Sequence, residues 1–256
     1  MGGNTRDAGR STASRLLALL GAFSSVAPVL TLSELAERSG LPIATAHRLA
    51  GELLGWGALE RTADGRLQIG LRLWHIGALA PRHRNLRSVA LPFMEDLYEA
   101  THENVQLAVR DGIEAVFVDK ISGRRSVGTL TTVAGRLPLH ATGVGKIILA
   151  FSEPELLSTV VAQGLRRCTP HTIVLPSLLC AALRRVREHH VAFSLEEMTM
   201  GASSVAAPIF GPDGGLVASL ALVVRSTKDL QMLSAAVRTA ALGVTRNLGA
   251  FSAGQN

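Results

Sequence analysis

The sequence predicts a two-domain α+β protein: a small helix-and-hairpin domain, an apolar linker helix, and a larger domain on a mainly antiparallel sheet. Three observations predict it. The N-terminal region carries apolar residues at helical spacing, punctuated by cap and stop signals. A hairpin-forming Asp64-Gly65 follows between alternating residues. Beyond it, the foreseen strands lie adjacent in sequence at both ends, with helices grouped between them. With 256 residues and 47% apolar content the chain can bury a sizeable core, which excludes disorder throughout.

Taken in order, residues 1–10 are polar and Gly-rich and are expected to form a disordered tail with no secretory signal. Leu16, Leu17, Leu19, Leu20 and Phe23 recur at helical spacing behind Ser11 and Thr12, either of which can cap a first helix. A loop containing Pro28 leads to Thr31-Leu-Ser-Glu34, a capping-box pattern, and Ser39-Gly40 ends this second helix. A third helix follows Pro42, from about Ile43 to Leu54. At 100° per residue, Ala46, Leu49, Ala50 and Leu53 share its apolar face, Ala44, Thr45, Arg48, Gly51 and Glu52 lie opposite, and His47 stands at the boundary. Two helices joined by a tight glycine turn, the second showing a small-residue, hydroxyl and arginine face, describe a helix-turn-helix. The hairpin of Ala58 to Thr62 and Arg66 to Ile69 makes it a winged helix, spanning 11–70.

Leu71, Leu73, Trp74, Ile76 and Leu79 make the next helix apolar on nearly all sides, and a second copy of the chain is expected to cover it. This linker and its boundary at Pro81 and Arg82-His83-Arg84 take up 71–85. In the larger domain, 86–250, helices are expected at Leu86 to Ala100, Gly143 to Phe151, Glu153 to Gln163, Pro176 to His189 and Asp229 to Leu248. Strands are expected at Val105 to Val109, Ala115 to Val118, Val191 to Leu195, Ser203 to Phe210 and Leu216 to Val224.

Composition limits the function. The net charge of +6 points to an anionic partner, yet residues 1–80 hold 8 arginines against 6 acids while 81–256 hold 18 basic against 14 acidic residues, so charge alone locates no surface. Aromatics at 4% speak against base-stacking platforms. Apolar runs such as Gly215 to Val224 are too short to span a membrane, and Cys168 and Cys180 are too few for a disulfide framework; a cytoplasmic protein with no membrane partner is expected. Cys168-Thr-Pro-His171 lacks a second Cys/His pair at ligand spacing, since Cys180, His189 and His190 lie apart. Gly143-Val-Gly-Lys146 is no phosphate loop, because His140 and Ile147 stand where that motif needs Gly and Ser or Thr. Its amides, at a helix start, suit a ligand carboxylate, and Lys146 suits a structural ion pair. Glu196 and Glu197, adjacent on a strand end, point opposite ways and serve as structural or rim groups rather than a catalytic pair. No metal, cofactor or catalytic residue is expected.

The residues from Ser39 to Leu49, Gly57 to Arg61 and Leu67 to Leu71, with Gly135 to Ala150, Glu196-Glu197, Gly201 and Val205 to Phe210, resemble the IclR family of bacterial transcriptional regulators, in order from about Ser11 to Leu248. The resemblance implies a dimer or dimer of dimers, a winged helix on operator DNA, and a GAF-like domain that holds a small-molecule effector. Carried over by position, Thr45 and Arg48 face the major groove with Ala44 and His47 beside them, and Arg15, Thr31, Ser33, Arg61 and Arg66 meet phosphates. Ile43 and Ala44 replace the family's usual Lys and Ser. The effector pocket is expected from Ser126, Thr129, Leu137, Gly143, Val144, Ser194, Ser204, Ala221 and Val223. Hydroxyls facing an apolar wall suit a carboxylate-like effector with an aromatic body. The expected function is a ligand-responsive regulator, a repressor rather than an activator, of a catabolic operon. A sequence-tolerant architectural DNA-binding protein and an enzyme are the alternatives.

Overall fold

The computed structural model describes residues 11–24, 26–79, 81–123, 126–129 and 131–253; the tail expected over residues 1–10 lies outside them. Contacts divide the chain into two units, Met1–Arg84 and Asn85–Asn256.

In the first unit, helix α1 (Thr12–Gly21) starts where the Ser11 side chain accepts from the Ser14 amide at 3.0 Å. Helix α2 (Leu32–Ser39) carries the capping box foreseen: the Thr31 hydroxyl accepts from the Glu34 amide, and the Thr31 amide donates to the Glu34 carboxylate at 2.8 Å. Gly40, at φ +68°, ends α2 in the left-handed conformation and turns the chain into α3 (Ile43–Trp56). Ala46, Leu49, Ala50 and Leu53 of α3 are buried with Leu19, Leu35, Leu59 and Leu67 in one core. The wing pairs β2 (Leu59–Arg61) with β3 (Leu67–Ile69) across the turn at Gly65, φ +81°. A third strand was not foreseen: β1 (Val29–Leu30), read as loop, pairs with β3 through Leu30 and Leu67. Two residues are too few to show alternation. Gly70 is required where the chain leaves the wing, because a Cβ there would meet the Gly57 carbonyl oxygen at 2.4 Å. Helix α4 (Leu71–Ala78) follows, with Leu71, Trp74, Ile76 and Leu79 exposed.

The division between the units falls within the stretch 71–85 expected to hold it, but α5 (Pro81–Thr101) starts before the expected Leu86, since proline fits a helix's first position. The sheet of the second unit is antiparallel throughout, in the order β6-β5-β4-β9-β8-β7. Its strands are β4 (Asn104–Asp111), β5 (Glu114–Ile121), β6 (Arg136–Pro138), β7 (Ala192–Thr199), β8 (Ala202–Phe210) and β9 (Leu216–Arg225). Helices α6 (Gly143–Ala150), α7 (Pro154–Ala162) and α8 (Pro176–His189) lie between β6 and β7, and α9 (Leu230–Ala253) closes the chain. Three layers result. Met94 and Leu97 of α5 and Val237 and Val244 of α9 pack with Leu107 and Leu220 on one face. On the other, Ile147 of α6 and Leu183 of α8 pack with Ala108, Phe117, Ala206 and Ala221. Strand alternation explains the division: Val105, Leu107 and Val109 turn to the first face, leaving Gln106 and Ala108 for the second.

Candidate nucleic-acid interface and ligand cavity

The outer face of α3 carries what its periodicity placed there: Ala44, His47 and Arg48 are exposed and Thr45 is half-buried. Ile43, at 51% exposure, puts an apolar side chain at the start of that face. The other positions expected to contact phosphates differ in freedom. Ser33 is exposed and Arg15 half-buried. The Thr31 hydroxyl is committed to its helix cap, accepting from the Glu34 amide and donating to the Glu34 carboxylate at 2.9 Å. In the wing, Arg61 donates to the Gly65 carbonyl at 2.9 Å and Arg66 to Asp64 at 2.6 Å, so both are tied to the turn that presents them. The hydroxyl of Thr62 and then Arg66 hold the Asp64 carboxyl below its ordinary pKa.

In the second unit a cavity, partly open to solvent, lies on the α6 side of the sheet. Thr129, Leu137, Gly143, Val144, Ser194, Ser204, Ala221 and Val223 all line it. Ser126 does not; its hydroxyl accepts from the Gly123 amide and donates to the His102 carbonyl, closing a turn instead. The sequence reading missed Gln106, Phe117, Thr131 and Thr142, and on the β7–β8 hairpin Met198, Thr199, Ala202 and Ser203. A register shift between Leu195 and Thr199, with Glu196 at φ +54°, breaks the alternation there and brings neighbouring Met198 and Thr199 to the same cavity.

The polar groups around the cavity fall into two sets. Thr142 accepts from the Gly145 amide at 3.0 Å and donates to the Pro138 carbonyl at 3.2 Å, while Ser194 donates to the Ala141 carbonyl at 3.0 Å. These two hydroxyls build the start of α6. Gly143 and Val144 line the cavity in the first turn of this helix, where amides have no partner within the helix. Small residues permit the approach: a Cβ on Gly143 would meet the Ser204 hydroxyl at 2.8 Å, and one on Gly145 the Leu139 carbonyl oxygen at 2.2 Å. Gln106 is 3% exposed, and its side-chain Nε2 has no hydrogen-bond partner. Lys120 of β5 donates to the Thr129 hydroxyl at 2.8 Å and the Thr131 carbonyl at 2.9 Å, and burial lowers its pKa.

Lys146 forms the structural ion pair expected of it, with Glu197, and donates to the Phe193 carbonyl at 3.0 Å. Glu196 turns away: its carboxylate accepts from the Gly201 amide at 2.6 Å. The Cys168–His171 segment has a structural use, because Thr169 and Thr172 each donate to a β7 carbonyl at 2.7 Å and so hold the strand where it bulges. Among the described residues no group of three His, Cys, Asp or Glu is placed to hold a metal ion, and no helix is long and apolar enough to cross a membrane.

Comparison with known proteins agrees with this architecture over almost the whole chain. Residues 12–63 match the IclR helix-turn-helix domain, and residues 79–246 match the bacterial transcriptional regulator IclR C-terminal domain. The chain is 32% identical over 243 residues to the HTH-type transcriptional regulator KipR of Bacillus subtilis, covering 93% of this chain and 97% of that one. It is 34% identical over 194 residues to the HTH-type transcriptional repressor AllR of Salmonella typhi, covering 75% and 71%. A crystal structure of an IclR homologue from Microbacterium hydrocarbonoxydans, complexed with 4-hydroxybenzoate, superposes with a TM-score of 0.90 at 32% identity, over 94% of this chain and 100% of that one. The curated relatives are named as transcriptional regulators, not as enzymes. With a helix-turn-helix domain matched ahead of a regulator domain, and the two together spanning most of the chain, the protein belongs to the IclR family of bacterial transcriptional regulators.

Proposed function

We propose that this regulator is a repressor of a catabolic operon whose hold on its operator changes when an aromatic carboxylate enters the α6 cavity. The observation that carries the reading is the lining itself. Hydroxyls and helix-start amides stand at its edges, while Phe117, Leu137, Ala221 and Val223 supply apolar wall. Such a cavity favours a ligand with a polar end and a flat apolar body over a two- or three-carbon acid. A homologous structure holding 4-hydroxybenzoate supports the same choice, and a relative named as a repressor supports the sign of regulation.

Thr45 and Arg48, flanked by Ala44 and His47, are proposed to read base edges in the major groove, with Arg15, Ser33, Arg61 and Arg66 on phosphates and the Thr31 backbone at the start of α2. The protein is proposed to act as a homodimer or dimer of dimers, because α4 leaves Leu71, Trp74, Ile76 and Leu79 exposed. Calorimetry against benzoate-type acids, glyoxylate and pyruvate tests the effector; tight binding of the short acids with none of the aromatic ones overturns it. Footprinting upstream of the protein's own gene, at controlled salt, is expected to show a two-fold related site preferred about 10³-fold or more over random duplex. Equal binding to all duplexes would indicate an architectural protein instead.

A further inference from the structure

We infer that the cavity has a second polar pole, formed by Gln106 and Thr129, and that the effector therefore carries an acceptor oxygen at the end remote from the α6 amides. This rests on the proposed effector reading and specifies the ligand's far end.

The sheet register separates the two poles. Gln106 of β4 pairs with Ala221 of β9, and Ala221 pairs with Ala206 of β8. Gly143, at the start of α6, lies over β8, against Ser204 and Ala206. On the other side Gln106 pairs with Lys120 of β5, which holds Thr129. One pole thus lies over β8 and the other over β4 and β5, with Ala221 and Val223 of β9 as apolar floor between them. Two strand spacings are about 10 Å, a distance suited to one substituted ring or a short chain with a polar group at each end.

Chemistry fixes what the far pole accepts. Gln106 is buried and its Nε2 hydrogens are unmatched, which is costly unless something binds there. The Lys120 ammonium is only a donor, so the Thr129 hydroxyl must accept from it and has its own proton left to give. Thr129 therefore offers a hydrogen, and the Gln106 carboxamide, donor at Nε2 and acceptor at Oε1, can turn its unmatched Nε2 to the same atom, so together they suit an acceptor. The hydrogen-bond partners of the Lys120 ammonium among the described residues, the Thr129 hydroxyl and Thr131 carbonyl, are neutral oxygens, so its positive charge further favours an oxygen of high electron density.

Titration calorimetry with benzoate, 4-methylbenzoate and 4-hydroxybenzoate reads the far end, because methyl and hydroxyl differ little in size. The wild-type protein is expected to bind the hydroxyl acid about 10-fold or more tightly than the methyl acid, as for a hydrogen bond to a buried donor. Gln106→Leu should erase or reverse that ratio and Thr129→Val should reduce it, while Thr129→Ser keeps it and benzoate affinity stays within about 3-fold. Thermal melting of the ligand-free variants controls for folding; Gln106→Leu is expected to melt no lower than wild type. No discrimination by wild type, or an equal loss of all three ligands in Gln106→Leu, overturns the inference while leaving the aromatic reading standing. If only aliphatic acids bind, the aromatic reading fails and the same contrast is made between pentanoate and glutarate, where equal affinity overturns the second pole. Binding of no acid at all overturns both.

Discussion

Lys146 of α6 and Glu197 of β7 form an ion pair inside the protein, with side-chain exposures of 2% and 6%. Burial pushes the lysine pKa down and the facing carboxylate pulls it back up, and Glu197 Oε2 has no hydrogen-bond partner. Such a pair is dangerous to halve and cheap to replace whole. Lys146→Met or Glu197→Leu alone should cost about 3–5 kcal/mol in denaturant unfolding, since each leaves a buried charge. The double variant should recover most of that loss. Single variants within about 1 kcal/mol of wild type would show the pair to be far better solvated than its burial implies.

The two glycines of the first α6 turn should behave differently. Gly145→Ala drives a methyl into the Leu139 backbone and should lower stability by about 1–3 kcal/mol or more. Gly143→Ala meets the Ser204 hydroxyl, which can rotate, and the Ala206 Cβ at 3.3 Å, so it should cost less stability than Gly145→Ala and show its larger effect in effector binding, by calorimetry.

Arg48→Ala should weaken operator binding by about 1–3 kcal/mol and relax preference at one base pair. Binding to operators substituted singly at each position checks this. An equal loss on all sequences would make Arg48 a phosphate contact.

Acid should loosen the start of α2 in a defined window. The backbone amide and then the hydroxyl of Thr31 hold the Glu34 pKa below 4.5. A carboxyl with a lowered folded-state pKa contributes stability above its unfolded value and loses it as pH falls through the folded value. The capping contribution should thus be intact above pH 4.5 and fade below it. Thr31→Ala should move the Glu34 titration, followed by NMR, back toward 4.5.

Trp74→Glu tests assembly, because Trp74 is 64% exposed beside the exposed Leu71, Ile76 and Leu79. Sedimentation should show a shift toward monomer, and binding to a two-half-site operator should weaken more than binding to a half-site. Unchanged sedimentation would remove α4 from the interface.

The winged helix was legible because its signals are local. The Thr31–Glu34 box, the left-handed Gly40 and the apolar stripe of α3 each act within one or two helical turns. Strands β1 and β6 were not legible, since two or three residues carry no period and β6 ends on Pro138. The cavity was visible only in part. Position relative to the resembling family brought Gly143, Ser204 and Val223 into view, but Gln106 reads locally as a polar interruption of Val105-Gln-Leu-Ala-Val109. Its role depends on β4 lying beside β9, a pairing that the order of strands along the chain conceals. Met198 and Thr199 were hidden for another reason, the bulge that changes which side chains face inward.

The same β4–β9 pairing imposes an order on how the protein is made. The core of the first unit is drawn from Leu19 to Leu67 and can close as soon as that stretch has left the ribosome. Leu107, by contrast, finds its partner Leu220 only after strands β5 to β8 and the helices between them have been made. Until then β4 presents an open hydrogen-bonding edge beside apolar side chains, the kind of surface on which nascent chains stick to one another. The core of the first unit can thus close early in translation, whereas that of the second waits for β9 and α9.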